Sequence, residues 1–106
     1  MQSFTPTKTQ PLTAETVLKI LREQPDFFQQ YKIKTLALFG STARNQATEN
    51  SDLDFLVEFI GTSTFDGYMD LLFYLEDLFK RPVDLVTEKA LRAELRPYID
   101  SEKIYV

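Results

Sequence analysis

Residues 52–59, Asp-Leu-Asp-Phe-Leu-Val-Glu-Phe, alternate without a break. Leu53, Phe55, Val57 and Phe59 fall on one side, and Asp52, Asp54, Leu56 and Glu58 on the other. Only an extended strand sends successive side chains to opposite faces, so this segment commits the chain to a sheet with one apolar face. Phe65 to Lys80 carries Tyr68, Leu71, Leu72, Leu75, Leu78 and Phe79 on one helical stripe, a face fit to pack on such a sheet. Ile33 to Phe39 has the length of a buried strand, closed by Gly40, and Val83-Asp84-Leu85-Val86 is a short one. Ile104-Tyr105-Val106 reads as an edge strand.

Helices fill the gaps between strands. Thr13 suits an N-cap ahead of Val17, Leu18, Ile20 and Leu21. Pro25 suits the first position of a short helix from Asp26 to Tyr31, and Ser41 to Gln46 begins another. Arg81-Pro82 ends the long helix, since the residue before a proline is pushed out of the helical region. Thr87 caps a last helix bearing Leu91 and Leu95, which Pro97 should break or bend. The expected fold class is therefore α/β (α+β): a small mixed sheet flanked by helices. Residues 1–12 read as a loose leader and 13–106 as one domain, the 106-residue chain having no room for a second.

What is missing narrows the chemistry. The chain has no His and no Cys, which excludes Ser-His and Cys-His catalysis, imidazole or thiolate zinc sites and a disulfide framework. Any reaction must rest on carboxylates, hydroxyls, Lys, Arg or backbone amides. A net charge of −4 argues against an extended nucleic-acid track, which needs a basic face. No apolar run has the length of a membrane span and the first residues do not form a signal peptide, so a cytoplasmic address is expected.

Three features can carry chemistry. Asp52 and Asp54, two apart on a strand, project from one face with Cα atoms about 6.6 Å apart. Such a pair is either a solvated strand face or a ligand set for a hard cation such as Mg²⁺. Asp84 interrupts an apolar strand, where Asp is disfavoured, and it either joins the first two or caps the helix after Thr87. Phe39-Gly40-Ser41-Thr42 ends a strand at a helix start, where free backbone N–H groups suit phosphate, although a plain turn has the same appearance. Arg44 could neutralise phosphate or make a surface ion pair.

Together, Gly40-Ser41, about ten intervening residues and Ser51-Asp52-Leu53-Asp54 ahead of a hydrophobic strand resemble the signature of the nucleotidyltransferase superfamily of DNA polymerase β. Val83-Asp84-Leu85 sits where that superfamily places a third carboxylate. The chain is most similar in kind to the minimal nucleotidyltransferases (MNT, or MntA-like, antitoxins), the resemblance running from about Val17 to the C-terminus. One departure is Asn45, where many members have Gly after the motif arginine. Asn tolerates left-handed backbone, so the turn should survive.

The resemblance implies transfer of AMP from ATP to a hydroxyl, with two Mg²⁺ ions held by Asp52, Asp54 and Asp84. Gly40, Ser41, Arg44 and Ser51 would bind the ATP phosphates. It further implies a HEPN-type toxin as partner, with a tyrosine as acceptor. The rival from another class is a nucleotidyltransferase-like antitoxin that neutralises its partner by binding alone. Phe27, Phe28 and Phe65 are candidates for a partner face, core burial being the ordinary fate of Phe.

Overall fold

The computed structural model describes residues 11–106. The leader expected over 1–12 thus lies almost wholly outside the described residues, yet Leu12 is 4% exposed and belongs to the core. Helix α1 (Ala14–Arg22) starts as expected: the Thr13 hydroxyl accepts from the Thr16 amide, and Val17 and Leu21 are buried beneath. Helix α2 (Phe27–Gln30) begins later than expected, because Pro25 lies in the preceding turn and Asp26 flanks the helix. Strand β1 (Ile33–Phe39) then runs into the single turn α3 (Gly40–Ala43), and strand β2 (Leu53–Phe59) follows the polar loop.

Helix α4 (Phe65–Phe79) buries Leu71, Leu75 and Phe79 and returns the chain to β3 (Val83–Thr87). Its stop precedes Pro82: Lys80 adopts the left-handed conformation at φ 55°, and its amide bonds the Glu76 carbonyl. A 3-10 turn (Glu88–Ala90), capped by the Thr87 hydroxyl, stands in place of the expected longer helix. Leu91 is already extended. Helix α5 (Arg96–Glu102) is a separate element, and Pro97 lies in its first turn instead of breaking a helix. Proline needs no amide partner there, so its missing N–H costs nothing. Strand β4 (Ile104–Tyr105) closes the chain as the expected edge strand.

The four strands lie in the order β3-β2-β1-β4, with β2 antiparallel to β1, β3 parallel to β2, and β4 antiparallel to β1. Strand alternation divides the sheet's residues between two layers. Leu36, Leu38, Phe55 and Val57 pack with α1 and α4 residues into the main core. Ala37 and Leu56 on the opposite face pack with Ile99 of α5. This explains why Leu56, placed by its alternation on the polar side of β2, is buried. Phe27 joins the core and Phe28 packs against it, whereas Phe65 is 77% exposed. Among the described residues no helix is long and apolar enough to cross a membrane.

Candidate active site

Register alone brings two of the three acids together. Asp54 pairs with Asp84 across the parallel β2–β3 ladder and with Phe39 across the antiparallel β1–β2 ladder. Adjacent strands lie about 4.8 Å apart, so Asp54 and Asp84 neighbour one another on the face that α5 covers. Asp52 sits just before β2 and is exposed, as is Asp84, while Asp54 is half-buried. The reading in which Asp84 caps the segment after Thr87 does not hold, because the Thr87 hydroxyl performs that task itself.

Phe39 delivers the chain to Gly40, whose φ of +77° is a conformation that L side chains rarely adopt. Space excludes a side chain as well: a Cβ on Gly40 would lie 2.1 Å from Asp54 Oδ2. The Asp54 carboxylate therefore rests directly against the Gly40 backbone. Its pKa is pushed up to about 6, first by burial, then by Asp84, Asp52 and Glu102, with Arg44 partly offsetting them. Like charges crowding a half-buried carboxylate are the electrostatic signature of a site that a cation relieves.

The expected phosphate-binding residues divide into two groups. The Gly40 amide points into the site and donates to Glu102 Oε2 at 2.5 Å, and Ser41 stands half-buried beside it at the start of α3. Arg44 Nη1 reaches Glu102 Oε1 at 2.8 Å, so it makes an ion pair at the site's edge. Ser51 is turned inward to its own loop: its hydroxyl accepts from the Thr48 amide at 2.9 Å. That bond holds the turn from which Asp52 emerges. Glu102 had no signal in the sequence, since it lies 62 positions from the amide it contacts.

Asn45 keeps its turn at φ 57° and also does something a glycine could not. Its Oδ1 accepts from the Ala14 amide at 2.9 Å, satisfying one of the unpaired N–H groups that open α1.

The donor set suits a hard divalent cation, being all carboxylate oxygen with repulsion at its centre that Arg44 offsets only in part. Among the described residues, no three acids close around one point in the geometry the side chains adopt. The site is also open. A concavity of about 700 Å³, lined by Tyr31, Ile60 and Phe73, lies at the far end of β2 and includes none of Asp52, Asp54 and Asp84.

A family model described as nucleotidyltransferase domain matches residues 16–106. A Methanocaldococcus jannaschii protein provisionally named protein adenylyltransferase is 40% identical over 96 residues, covering 89% of this chain and 98% of that one. The protein adenylyltransferase MntA of Thermococcus cleftensis is 31% identical over 96 residues, covering 90% and 97%. A solved structure provisionally described as a minimal nucleotidyltransferase superposes with a TM-score of 0.75 at 32% identity, covering 88% of this chain and 95% of that one. A Shewanella oneidensis complex, described as a tri-AMPylated HEPN toxin with its MNT antitoxin, shares the fold at a TM-score of 0.54 and 22% identity, over 86% and 66% of the chains.

Proposed function

The chain belongs to the nucleotidyltransferase domain family, and from that premise we propose that it transfers AMP from ATP to a tyrosine hydroxyl of a HEPN-type toxin. The reaction is Mg²⁺-dependent and cytoplasmic, and the chain acts as the antitoxin of the pair. One observation carries the reading: Asp54 and Asp84 are register partners, and Asp54 rests against a backbone turn that offers the Gly40 amide to an anion. The relatives named for protein adenylylation, and the AMPylated toxin in the Shewanella complex, supply the class of acceptor.

Each residue then has a task. Asp52 and Asp54 would hold both cations, and Asp84 would hold the one near the acceptor. Bound there, the cations would supply charge neutralisation at the transferred phosphoryl group and a lowered pKa at the acceptor hydroxyl. Gly40 donates its amide to the triphosphate, Ser41 its hydroxyl, and Arg44 its guanidinium. Ser51 contributes by fixing the turn that aims Asp52. The Asp84 carboxylate, exposed and level with Asp54, takes the acceptor's proton as its oxygen attacks the α-phosphorus and pyrophosphate leaves. A site this open encloses no small acceptor, so the acceptor arrives on another folded surface that supplies its orientation.

The test is incubation with α-labelled ATP, Mg²⁺ and a HEPN-type partner, followed by mass spectrometry of the partner. The expected result is AMP on a partner tyrosine, absent with Asp54→Asn, together with loss of the toxin's activity. A partner that is neutralised yet unlabelled would favour inhibition by binding alone.

A further inference from the structure

Glu102 is the acid beside the site that nucleotidyl transfer leaves without a task. It arrives from the far end of the chain as the last residue of α5, and its two oxygens are engaged separately. Oε2 accepts from the Gly40 amide at 2.5 Å and Oε1 from Arg44 Nη1 at 2.8 Å. Both donors are ones that the proposed function assigns to the triphosphate of ATP. The Gly40 amide has a single proton to give, so an anion that takes it excludes any other from that position.

The position is also electrostatically contested. Glu102 adds to the negative field that Asp84 and Asp52 already exert on Asp54, so only its two donors favour a carboxylate there. The segment that delivers it is anchored on either side of Glu102 and not through it. Ile99 packs with Ala37 and Leu56, β4 pairs with β1, and the Val106 amide donates to the Leu36 carbonyl at 2.9 Å. A side chain held by two hydrogen bonds, and outside the main core, can swing away while these anchors stay in place.

Resting on the nucleotidyl-transfer reading, we propose that Glu102 is a specificity-determining residue, an internal carboxylate that occupies the polyphosphate seat and is displaced when a nucleoside triphosphate binds. It sets a threshold for entry. A ligand that brings several phosphates and their cations to the seat overcomes it, whereas AMP, which carries no β- or γ-phosphate, does not compete with it. Pyrophosphate, the leaving product, uses the same seat, so the returning carboxylate promotes its release.

Calorimetric titration of the full chain, Glu102→Gln and Glu102→Ala with Mg–AMP-PNP, Mg–pyrophosphate and AMP tests this, with circular dichroism to check folding. A mostly occupied seat lowers apparent affinity by the fraction left vacant, so Glu102→Ala should bind AMP-PNP and pyrophosphate about three- to tenfold more tightly. Glu102→Gln should move the same way, and AMP should stay within about twofold. Unchanged or weaker AMP-PNP binding by a folded variant overturns the proposal, as does an equal gain for all three ligands. Should the alanine variant unfold, the isosteric glutamine decides. If none of the three proteins bound AMP-PNP, nucleotidyl transfer itself would fall and the inference with it. Binding by the wild type without a gain in the variants removes the inference alone.

Discussion

Asp54 holds its place against the preferences of its own charge. Its carboxyl is raised from 3.8 to about 6 by burial and by Asp84, Asp52 and Glu102. A folded-state pKa above the unfolded one means that the folded chain binds the proton more tightly between those values. Stability from this group is therefore lost as pH rises from about 4 to 6, and the full penalty is present at pH 7. Because the side chain is only half-buried, solvent reduces that penalty to roughly 1 kcal/mol. Asp54→Asn should then abolish transfer while raising the metal-free melting temperature at pH 7.5 by a few degrees. The gain should vanish by pH 4. A lower melting temperature at pH 7.5 would show that the carboxylate is held by favourable contacts instead. The glycines give a second, paired prediction. Gly61→Ala, with φ +70° and nothing within 4 Å, should cost only the backbone strain of about 1 kcal/mol. Gly40→Ala adds a collision with Asp54 Oδ2 to the same strain, so it should cost about 2–4 kcal/mol and lose nucleotide binding. Denaturant melts of the two variants side by side measure the difference.

Among the elements, the loop after α3 is tied to α1 by one side chain, which makes Asn45 a joint between them. Asn45→Gly keeps the left-handed turn and loses the bond to Ala14, costing about 1 kcal/mol, as for a lost helix cap. Asn45→Ala loses both and should cost about 2 kcal/mol. Chemical denaturation ranks them, and equal losses would deny the hydrogen bond any share. The elements that can be read from sequence are those whose cause is local. Alternation marks β2, a one-sided stripe marks α4, and a hydroxyl at the right place marks the start of α1. Pro97 misleads because proline ends a helix in its interior and begins one in its first turn, and only the extended backbone at Leu91 separates the two cases. The acids and Gly40 are readable for a similar reason, each being an exception to its own surroundings: Asp in an apolar strand, Gly at a strand end. Glu102 carries no local signal in the sequence, and only the packing of α5 across the sheet brings it to the Gly40 amide. The inward turn of Ser51 is equally hidden, since a serine hydroxyl serves a turn or a ligand with the same sequence.

For the molecule as a whole, the proposed metal site predicts that divalent metal stabilises the folded state. Mg²⁺ at about ten times its dissociation constant should add about 1.4 kcal/mol to stability, and chelator should remove it. Thermal melts with and without Mg²⁺ should show an upward shift for the wild type and almost none for Asp54→Asn. An equal shift in both would place the cation elsewhere. The sheet's connectivity has a further consequence, for the order in which the chain acquires its site. Strands β1 and β2 are joined by α3 and the polar loop, a shorter connection than the α4 crossover, so they can pair first, whereas β3 reaches β2 only after that whole crossover has closed. Contacts between distant parts of a chain pay their loop entropy before they return any binding energy. Asp54 therefore waits for a partner 30 positions away, and Gly40 for one 62 positions away. During synthesis, then, Asp54 and Asp84 come together only when β3 docks, and Glu102 reaches Gly40 only after α5 has formed. In stopped-flow refolding, Glu102→Ala should accordingly leave the folding rate unchanged and appear only in the unfolding arm.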